Sequence, residues 1–181
     1  MARVSESELE CFVLGLVWER GPASAYDIRR LMQDSPSTQW SGSAGAIYPL
    51  MKRLEQAKLL KGRDRRAGRR KRREYEVTAR GTAVLRRWVG PPLSAAAISV
   101  AHDPLRSRAR FLEALPPAAR GEWVAAARAA LDRVEERVRD WERRYGSVGG
   151  DGRVQARMTR SGELDVRSRR EWLEDVARVV S

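Results

Sequence analysis

The sequence contains very few of the side chains on which catalysis and metal binding usually depend. Its 181 residues include one cysteine, Cys11, and one histidine, His102. A single cysteine excludes an internal disulfide and a cysteine-based zinc site. His102 has no evident cysteine or carboxylate partner for metal or nucleophile chemistry, and no glycine-rich phosphate loop of the Walker or Rossmann type is present. The sequence therefore predicts a protein that is not an enzyme and that uses no metal or cofactor.

Long apolar stretches are also missing. No run reaches the roughly 18 apolar residues of a membrane-spanning helix, and residues 1–9 lack the apolar segment of a signal peptide. The hydrophobic fraction of 42% is nevertheless sufficient for a folded core. We therefore expect a globular, cytoplasmic protein without a membrane partner.

Lysine is scarce, although the chain is strongly basic. Only four of the 36 basic residues are lysines, and a preference for arginine can follow from genomic base composition alone. The distribution of the net charge of +12 is more informative than its size. Residues 61–73 hold nine basic residues and one acid, a net charge of +8, and the other 168 residues share 12 − 8 = +4. Phosphate contact requires concentrated charge of this kind, so the segment predicts a nucleic-acid partner.

The first 60 residues are predicted to form three helices. Ser5 and Glu8 have the spacing of a capping box at the start of the first helix, and Gly21 ends it. Ser24 caps the second helix, and residues 37–42 are expected to be a polar loop. Apolar residues at i, i+3, i+4 and i+7 give the first and third helices one buried face each.

The third helix and the basic segment complete the pattern of the N-terminal half. The helix starts near Ser43, and the basic segment predicts a β-hairpin of strands 60–65 and 71–77 with a turn at 66–69. A further helix follows. This order of elements is typical of a winged helix-turn-helix domain. The predicted fold class is therefore mainly α, with an α+β wing, over residues 1–90.

The second half is predicted to be a separate helical domain. Residues 91–104 form a connector, and residues 105–181 form the helical domain. Within that domain a short helix at 105–115 ends at Pro116, and the last helix covers 166–180. Between them lies a long helix whose apolar residues recur at steps of three and four, as in a heptad repeat. The repeat consists of Val124, Ala127, Leu131, Val134, Val138, Trp141 and Tyr145.

The heptad repeat predicts a dimer. One long and two short helices form a poor core in about 80 residues, so a second chain is expected to cover the repeat as a coiled coil. The residues assigned to this interface are Val124, Leu131, Val134, Val138, Trp141, Trp172, Leu173 and Val176. The alternative is that the repeat packs inside one subunit.

Two segments are predicted to contact DNA. Small residues at the start of the third helix allow close approach to a major groove, where Tyr48 and Lys52 reach base edges or phosphates. Ala46 offers only a methyl group, for fit or for contact with a thymine methyl. In the hairpin, which is expected to follow the backbone or a minor groove, the assigned residues are Arg66, Arg69, Arg70, Lys71 and Arg72. The alternatives are that Tyr48 packs on the domain surface and that the arginines are a solvated charge run.

Six tryptophans are many for a chain of this length. Most of them are expected to anchor the core or an interface. The alternative is that some line a pocket for a small aromatic ligand at the dimer interface, and the pattern does not specify which.

Several short motifs occur together in residues 9–88. They are Leu14-Gly15-Leu16, Gly21-Pro22, Tyr26-Asp27-Ile28, the stretch from Gly45 to Glu55, and the stretch from Arg70 to Thr78 with Gly81. The most specific of them is Ile-Tyr-Pro-x-x-x-Arg-Leu-Glu at residues 47–55. Together they resemble the PadR family of bacterial transcriptional regulators. The second half is similar, more loosely, to the branch of that family with the larger C-terminal domain.

This resemblance implies a homodimer, usually a repressor of an inverted-repeat operator that a small ligand often releases. It maps DNA contacts onto Ser43, Tyr48, Lys52 and the basic hairpin. The chain departs from the family pattern at Ala25, where glycine is frequent, and at Ala46, where a hydroxyl residue is frequent. The second departure removes a polar DNA contact, so the operator sequence does not follow from the resemblance.

The predicted function is therefore that of a PadR-like DNA-binding transcriptional regulator, a homodimeric repressor with double-stranded DNA as its partner. One alternative is a non-specific architectural protein that binds DNA or RNA through the same charge. Another is a sensor of drugs or aromatic compounds whose ligand lies between two subunits. The ratio of operator affinity to random-DNA affinity separates the first two.

Overall fold

The computed structural model describes residues 7–67, 70–93, 95–99, 102–146 and 153–180. At residues 66–67, 70–71, 96, 153, 155–156 and 159 it describes the backbone alone. Contacts within the chain divide it into two compact units, residues 1–94 and 95–181. This division falls inside the predicted connector 91–104, whose two ends remain predictions.

The N-terminal unit contains the predicted helices and hairpin in the predicted order, and in addition a short strand and a further short helix. Its elements are α1 (Glu8–Arg20), β1 (Ala23–Ser24), α2 (Ala25–Asp34), α3 (Thr38–Ser43), a 3-10 turn (Ala44–Ala46), α4 (Ile47–Gln56), β2 (Leu60–Ala67), β3 (Arg70–Val77) and α5 (Ala79–Val89). The sheet is antiparallel with strand order β1–β3–β2, and the β2–β3 hairpin is the wing. The predicted winged helix-turn-helix fold is confirmed.

The start of α1 differs from the prediction. Ser7, and not Ser5, caps the helix, and its side chain and backbone N–H form a capping box with Glu10. Ser5 lies outside the described residues. The predicted end is correct: Gly21 follows the helix with φ of 71°, a backbone conformation that favours glycine.

Residues 37–42, predicted to be a polar loop, are mostly helical. They belong largely to α3, which continues through the 3-10 turn into α4. The rings of Phe12 on α1 and Trp40 on α3 stack with centroids 3.9 Å apart. Because serine and glycine have low helix propensity, the local sequence favoured a loop, whereas this tertiary contact stabilises the helix.

The wing extends further toward its turn than predicted. Arg66 pairs with Lys71 and Ala67 pairs with Arg70, so these residues lie in the strands. The remaining residues of the predicted turn, 68–69, lie outside the described part. Strand β1 was not predicted, since a two-residue strand shows no alternation in the sequence.

The core of the N-terminal unit lies between α1, α2, α4, α5 and the base of the wing. Its largest fully buried side chains are Val13, Leu14, Val17, Ile28, Met32, Ile47, Leu50, Met51 and Leu60. The predicted periodicity of α4 is correct, because the residues on its i, i+3, i+4 and i+7 face are the buried ones. Its opposite side is therefore left facing solvent.

The C-terminal unit is helical, with two long helices. Its elements are α6 (Ala95–Ile98), α7 (Pro104–Ala109), a 3-10 turn (Leu112–Ala114), α8 (Pro117–Tyr145) and α9 (Arg153–Val180). The predicted single helix at 105–115 is thus a helix followed by a 3-10 turn. Pro117 occupies the first turn of α8, where the missing N–H of proline is tolerated, so the two prolines precede a helix as well as ending one.

Helix α9 is nearly twice as long as the predicted helix at 166–180. It packs along α8, and Val124, Ala127 and Leu131 of the heptad repeat form a buried cluster with Leu173 of α9. Within one chain these residues are therefore covered by the C-terminal part of α9, which lies in the predicted helix 166–180. Whether the repeat also contacts a second chain remains a prediction.

Among the described residues, no helix is both long enough and apolar enough to cross a membrane.

Candidate nucleic-acid interface

The outward side of α4 carries the predicted DNA contacts of the third helix. Tyr48 is 51% exposed, and Ala46 and Lys52 are also exposed. The buried face of the same helix holds it against the core, which fixes the direction of these side chains. Pro49, which lies in the first turn of the helix, is exposed, and there its missing N–H breaks little. The exposed face is thus apolar at Ala46, aromatic at Tyr48 and cationic at Lys52.

Ser43, the fourth predicted contact in this region, already uses its hydroxyl hydrogen. Its Oγ donates to the carbonyl oxygen of Gln39 at 2.8 Å. The hydroxyl can still accept a hydrogen bond, which suits a donor such as a base amino group more than a phosphate oxygen. Ser43 is therefore half-exposed, and its hydroxyl is left as an acceptor and not as a donor.

The base of the wing is a set of ion pairs and not a bare cluster of positive charge. Arg63 lies 3.7 Å from Glu76, and Arg65 lies 3.4 Å from Glu74. Arg72, a predicted phosphate contact, donates a hydrogen bond to Asp27 of α2 and lies 3.5 Å from Glu74. Arg73 donates to Glu55 of α4 at 2.5 Å and to Asp64 at 2.8 Å.

These ion pairs reduce the number of unpaired cations in the basic segment. Of the five cations in this segment whose side chains the structure describes, four have carboxylate partners, and all of these partners except Asp64 lie outside the segment. The predicted phosphate contacts Arg66, Arg70 and Lys71 lie at the outer end of the strands, and their side chains lie outside the described part, as does the whole of Arg69. Whether these four cations contact a partner remains a prediction.

Ionisation in this region is shifted by the same contacts. The hydrogen bond from Arg73 lowers the pKa of Glu55, and the bonds to Glu55 and Asp64 raise the pKa of Arg73. Burial acts to raise the pKa of Asp27, but hydrogen bonds from Ser24 and the charge of Arg72 outweigh it, so the pKa lies below its ordinary value. Burial raises the pKa of Tyr75 in β3. The carboxylates of Asp27 and Glu55, whose pKa values are lowered, are fully ionised at neutral pH.

The sequence analysis did not identify the carboxylates that hold the wing. Asp27 of α2 lies 45 residues before its partner Arg72. Glu55 of α4 lies 18 residues before its partner Arg73. The one local signal is Gly62, where a Cβ would lie 2.5 Å from both Arg73 Nε and Glu55 Oε1. In the described part of the chain, no group of three or more His, Cys, Asp or Glu residues could hold a metal ion.

Among the residues assigned to a dimer interface, Val124 and Leu131 of α8 form the buried cluster with Leu173 of α9, and Trp172 packs against it. Leu173 is completely buried, and Val134, Trp141, Trp172 and Val176 are half-buried. Exposed apolar side chains lie elsewhere on this unit and include Phe111, Val154, Met158, Leu164 and Val179. Whether any of the assigned residues also contact a second chain remains a prediction.

A groove of about 310 Å³ lies between α8 and α9. Its apolar lining is Val138, Leu164 and Val166, and its polar lining consists of Glu135, Arg139, Arg160, Glu163, Arg167 and Arg170. None of the lining residues is a tryptophan. The alternative that some tryptophans line a ligand pocket gains no support from this groove.

The fold and the exposed α4 face beside a basic wing define a winged-helix DNA-binding regulator. Residues 13–87 match the family described as "Transcriptional regulator PadR-like family". The motifs predicted this match, which covers most of the winged-helix part of the chain. No curated protein matches the chain.

Solved structures with the same fold include PadR-like regulators from two Bacillus species. Bacillus subtilis PadR in complex with operator DNA matches with a TM-score of 0.77 and 18% identity, over 97% of this chain and 100% of that one. The same protein in complex with p-coumaric acid matches with a TM-score of 0.71 and 18% identity, over 95% and 98%. The PadR-like regulator BC1756 from Bacillus cereus matches with a TM-score of 0.68 and 18% identity, over 97% and 99%.

Proposed function

We propose that the protein is a homodimeric repressor that binds an inverted-repeat operator through α4 and the tip of the wing. The observation that carries this proposal is the solvent-facing side of α4, where Tyr48 and Lys52 project beside a wing that is attached to the same helix. A helix held in this way can enter a major groove while the wing contacts the neighbouring backbone. Ala46 would allow close approach, and Ser43 would accept a hydrogen bond from a base.

The proposed dimer forms through the C-terminal unit. Support comes from its thin core, a single layer between α8 and α9, together with apolar side chains such as Met158 and Val179 that are left exposed. A two-fold dimer would present two copies of α4 about 34 Å apart, which is one turn of DNA. The match over the full length of Bacillus subtilis PadR supports assignment to the branch with the larger C-terminal domain.

A small aromatic ligand is proposed as the signal that releases the operator. The structure of Bacillus subtilis PadR with p-coumaric acid makes an aromatic carboxylate the first compound class to test. The groove between α8 and α9 combines an apolar floor with arginines, which suits a ligand of that chemistry. Binding in this groove would alter the packing of the two helices that carry the proposed dimer.

Selection of bound fragments from the source genome with the purified protein tests the proposal. A specific regulator is expected to bind its best fragment about 10³-fold or more tightly than random duplex at physiological salt. A ratio near one for every fragment would favour the architectural alternative. Lys52→Gln is expected to weaken binding of the selected fragment more than Lys58→Gln, which removes the same charge from an exposed position just after α4.

A further inference from the structure

The wing leaves the core of the N-terminal unit about halfway along its length. Its last core-facing pair is Gly62 with Tyr75, and Tyr75 is buried. The next pairs outward are Arg63 with Glu74, Asp64 with Arg73 and Arg65 with Arg72, and the strands continue to Ala67 with Arg70. Without other contacts, this outer part would be a two-stranded ribbon, which is only marginally stable in water.

Arg72 and Arg73 lie where the ribbon leaves the core, and they point in opposite directions. Successive side chains of a strand lie on opposite faces of the sheet. Consistent with this alternation, Arg72 reaches α2 and Arg73 reaches α4. Two adjacent residues of one strand therefore contact both helices of the helix-turn-helix.

The partner of Arg72 is itself fixed in place. Asp27 accepts hydrogen bonds from the backbone N–H and the hydroxyl of Ser24, both at 2.9 Å, in the capping box of α2. Arg72 thus binds a carboxylate whose position is already fixed by the capping box of α2. Glu74, on the same face as Arg72, lies 3.5 Å from its Nε.

The partner of Arg73 is fixed in a similar way. Glu55 accepts from Arg73 through both carboxylate oxygens, at 2.5 and 3.3 Å, and also from the backbone N–H of Gly62 at 3.1 Å. A Cβ at residue 62 would occupy the space of this pair. Glycine at this position is therefore a requirement of the ion pair and not of the turn or the strand.

We propose that Arg72 and Arg73 are positioning residues that brace the wing between α2 and α4, and that neither contacts phosphate. This inference rests on the proposed DNA binding, because bracing matters only if the wing and α4 meet one duplex together. Ion pairs exposed to this degree add little to global stability. Their effect is instead to hold the wing in one orientation before binding, so that this ordering does not have to occur on the DNA.

The first test needs no DNA. Hydrogen exchange of the backbone amides of β2 and β3 in the free protein is compared between wild type, Arg72→Ala, Arg73→Ala and Gly62→Ala, with Lys61→Ala, at an exposed residue of β2, as control. Bracing predicts faster exchange in the wing for the first three variants and unchanged exchange for Lys61→Ala, with the melting temperature unchanged in all four. Gly62→Ala leaves both charges in place, so unchanged exchange in that variant would overturn the role of the Arg73–Glu55 pair.

The second test separates bracing from phosphate contact. Affinity for the selected fragment is measured against salt concentration. A phosphate contact contributes about one unit to the slope of log K against log[salt], so Arg72→Ala and Arg73→Ala should weaken binding up to about tenfold at an unchanged slope. Asp27→Asn combined with Arg72→Ala should weaken binding by less than the sum of the two single effects, because the two residues share one contact.

The outcomes distinguish this inference from the proposed function. A slope that falls by about one in Arg72→Ala would make this residue a phosphate contact and would overturn the bracing role. If the wild type bound no fragment better than random duplex, the proposed function would fail, and the exchange experiment would still decide whether the two arginines hold the wing.

Discussion

The two units of the chain are stabilised in different ways. In the described part of residues 1–94, twenty hydrophobic residues are buried, against seven in residues 95–181. The N-terminal core is enclosed by several helices and a sheet, whereas the C-terminal core is one layer between two long helices. A unit with so few buried side chains gains little from folding alone, which is the physical reason to expect a second copy of the chain against it.

Their ion pairs also differ. In the N-terminal unit, Asp27 and Glu55 bind both an arginine and a backbone N–H, so each pair is part of a fixed structure. In the C-terminal unit, Arg128 with Glu174 and Arg170 with Asp132 join α8 to α9 across exposed surface. Exposed pairs are sensitive to salt. The stability of the C-terminal unit should therefore depend more strongly on salt concentration than that of the N-terminal unit.

The largest expected effect comes from removing the centre of the C-terminal core. Leu173→Ala should lower the free energy of unfolding by about 2–5 kcal/mol, because it leaves a cavity in a core with few other members. Urea denaturation at two protein concentrations measures the effect. If the folded state is a dimer, the midpoint will rise with protein concentration.

Leu164→Ala is the matched control, since it makes the same change in the same helix at a residue that is 40% exposed. In an isolated chain, Leu164→Ala should lower the free energy of unfolding much less than Leu173→Ala does. An equal cost together with a loss of the concentration dependence would place Leu164 in the contact with a second chain. An equal cost without that loss would contradict the description of the C-terminal core.

The next largest effect concerns the junction between α4 and α5. A Cβ on Gly81 would lie 2.2 Å from the carbonyl oxygen of Leu59, which also accepts from Thr78. Gly81→Ala should therefore destabilise the protein by about 1–3 kcal/mol through overpacking against backbone. Gly42→Ala is the control, because nothing lies near a Cβ there and the residue is helical. Equal denaturation midpoints for the two variants would contradict the close approach at Gly81.

The sequence predicted the elements whose cause is local. Gly21 and Ser24 mark helix ends through their own backbone and side chain, and the periodicity of α4 identified its buried face correctly. Helix α3 was missed because its stability comes from Trp40, whose stacking partner lies 28 residues away. The first half of α9 was missed because it has few apolar residues and contains Gly162, which packs against Val138 of α8.

The candidate site was predictable to a similar extent. The exposure of Tyr48 and Lys52 was predicted because helical periodicity separates buried from exposed positions. The ion pairs of the basic segment were not predicted, because charge counting along the chain treats Arg72 and Arg73 as free cations. Their partners, Asp27 and Glu55, reach them only through the fold. Long-range ion pairs of this kind leave no periodic trace in a sequence.

The smallest expected effect concerns acid and salt, and it compares one carboxylate from each unit. The pKa of Asp27 lies below its ordinary value of 3.8, because hydrogen bonds from Ser24 and the charge of Arg72 outweigh burial. The hydrogen bond from Arg128 lowers the pKa of Glu174 from its ordinary 4.5. A lowered pKa in the folded state means that the ionised group stabilises the fold at neutral pH, and that this contribution is lost as the pH falls through the folded-state pKa.

Asp27→Asn and Glu174→Gln should therefore each be less stable than wild type at neutral pH, and both differences should shrink below about pH 4. Salt should separate them. Glu174 and Arg128 are exposed, so raising KCl from about 0.1 to about 0.5 M should remove most of the effect of Glu174→Gln. Asp27 also holds the capping box of α2, whose hydrogen bonds are short-ranged and little screened, so the effect of Asp27→Asn should largely persist. Thermal denaturation of the three proteins across pH and salt measures both differences. If high salt removed the destabilising effects of Asp27→Asn and Glu174→Gln equally, Asp27 would act only as a surface charge. The two units would then differ in their cores alone.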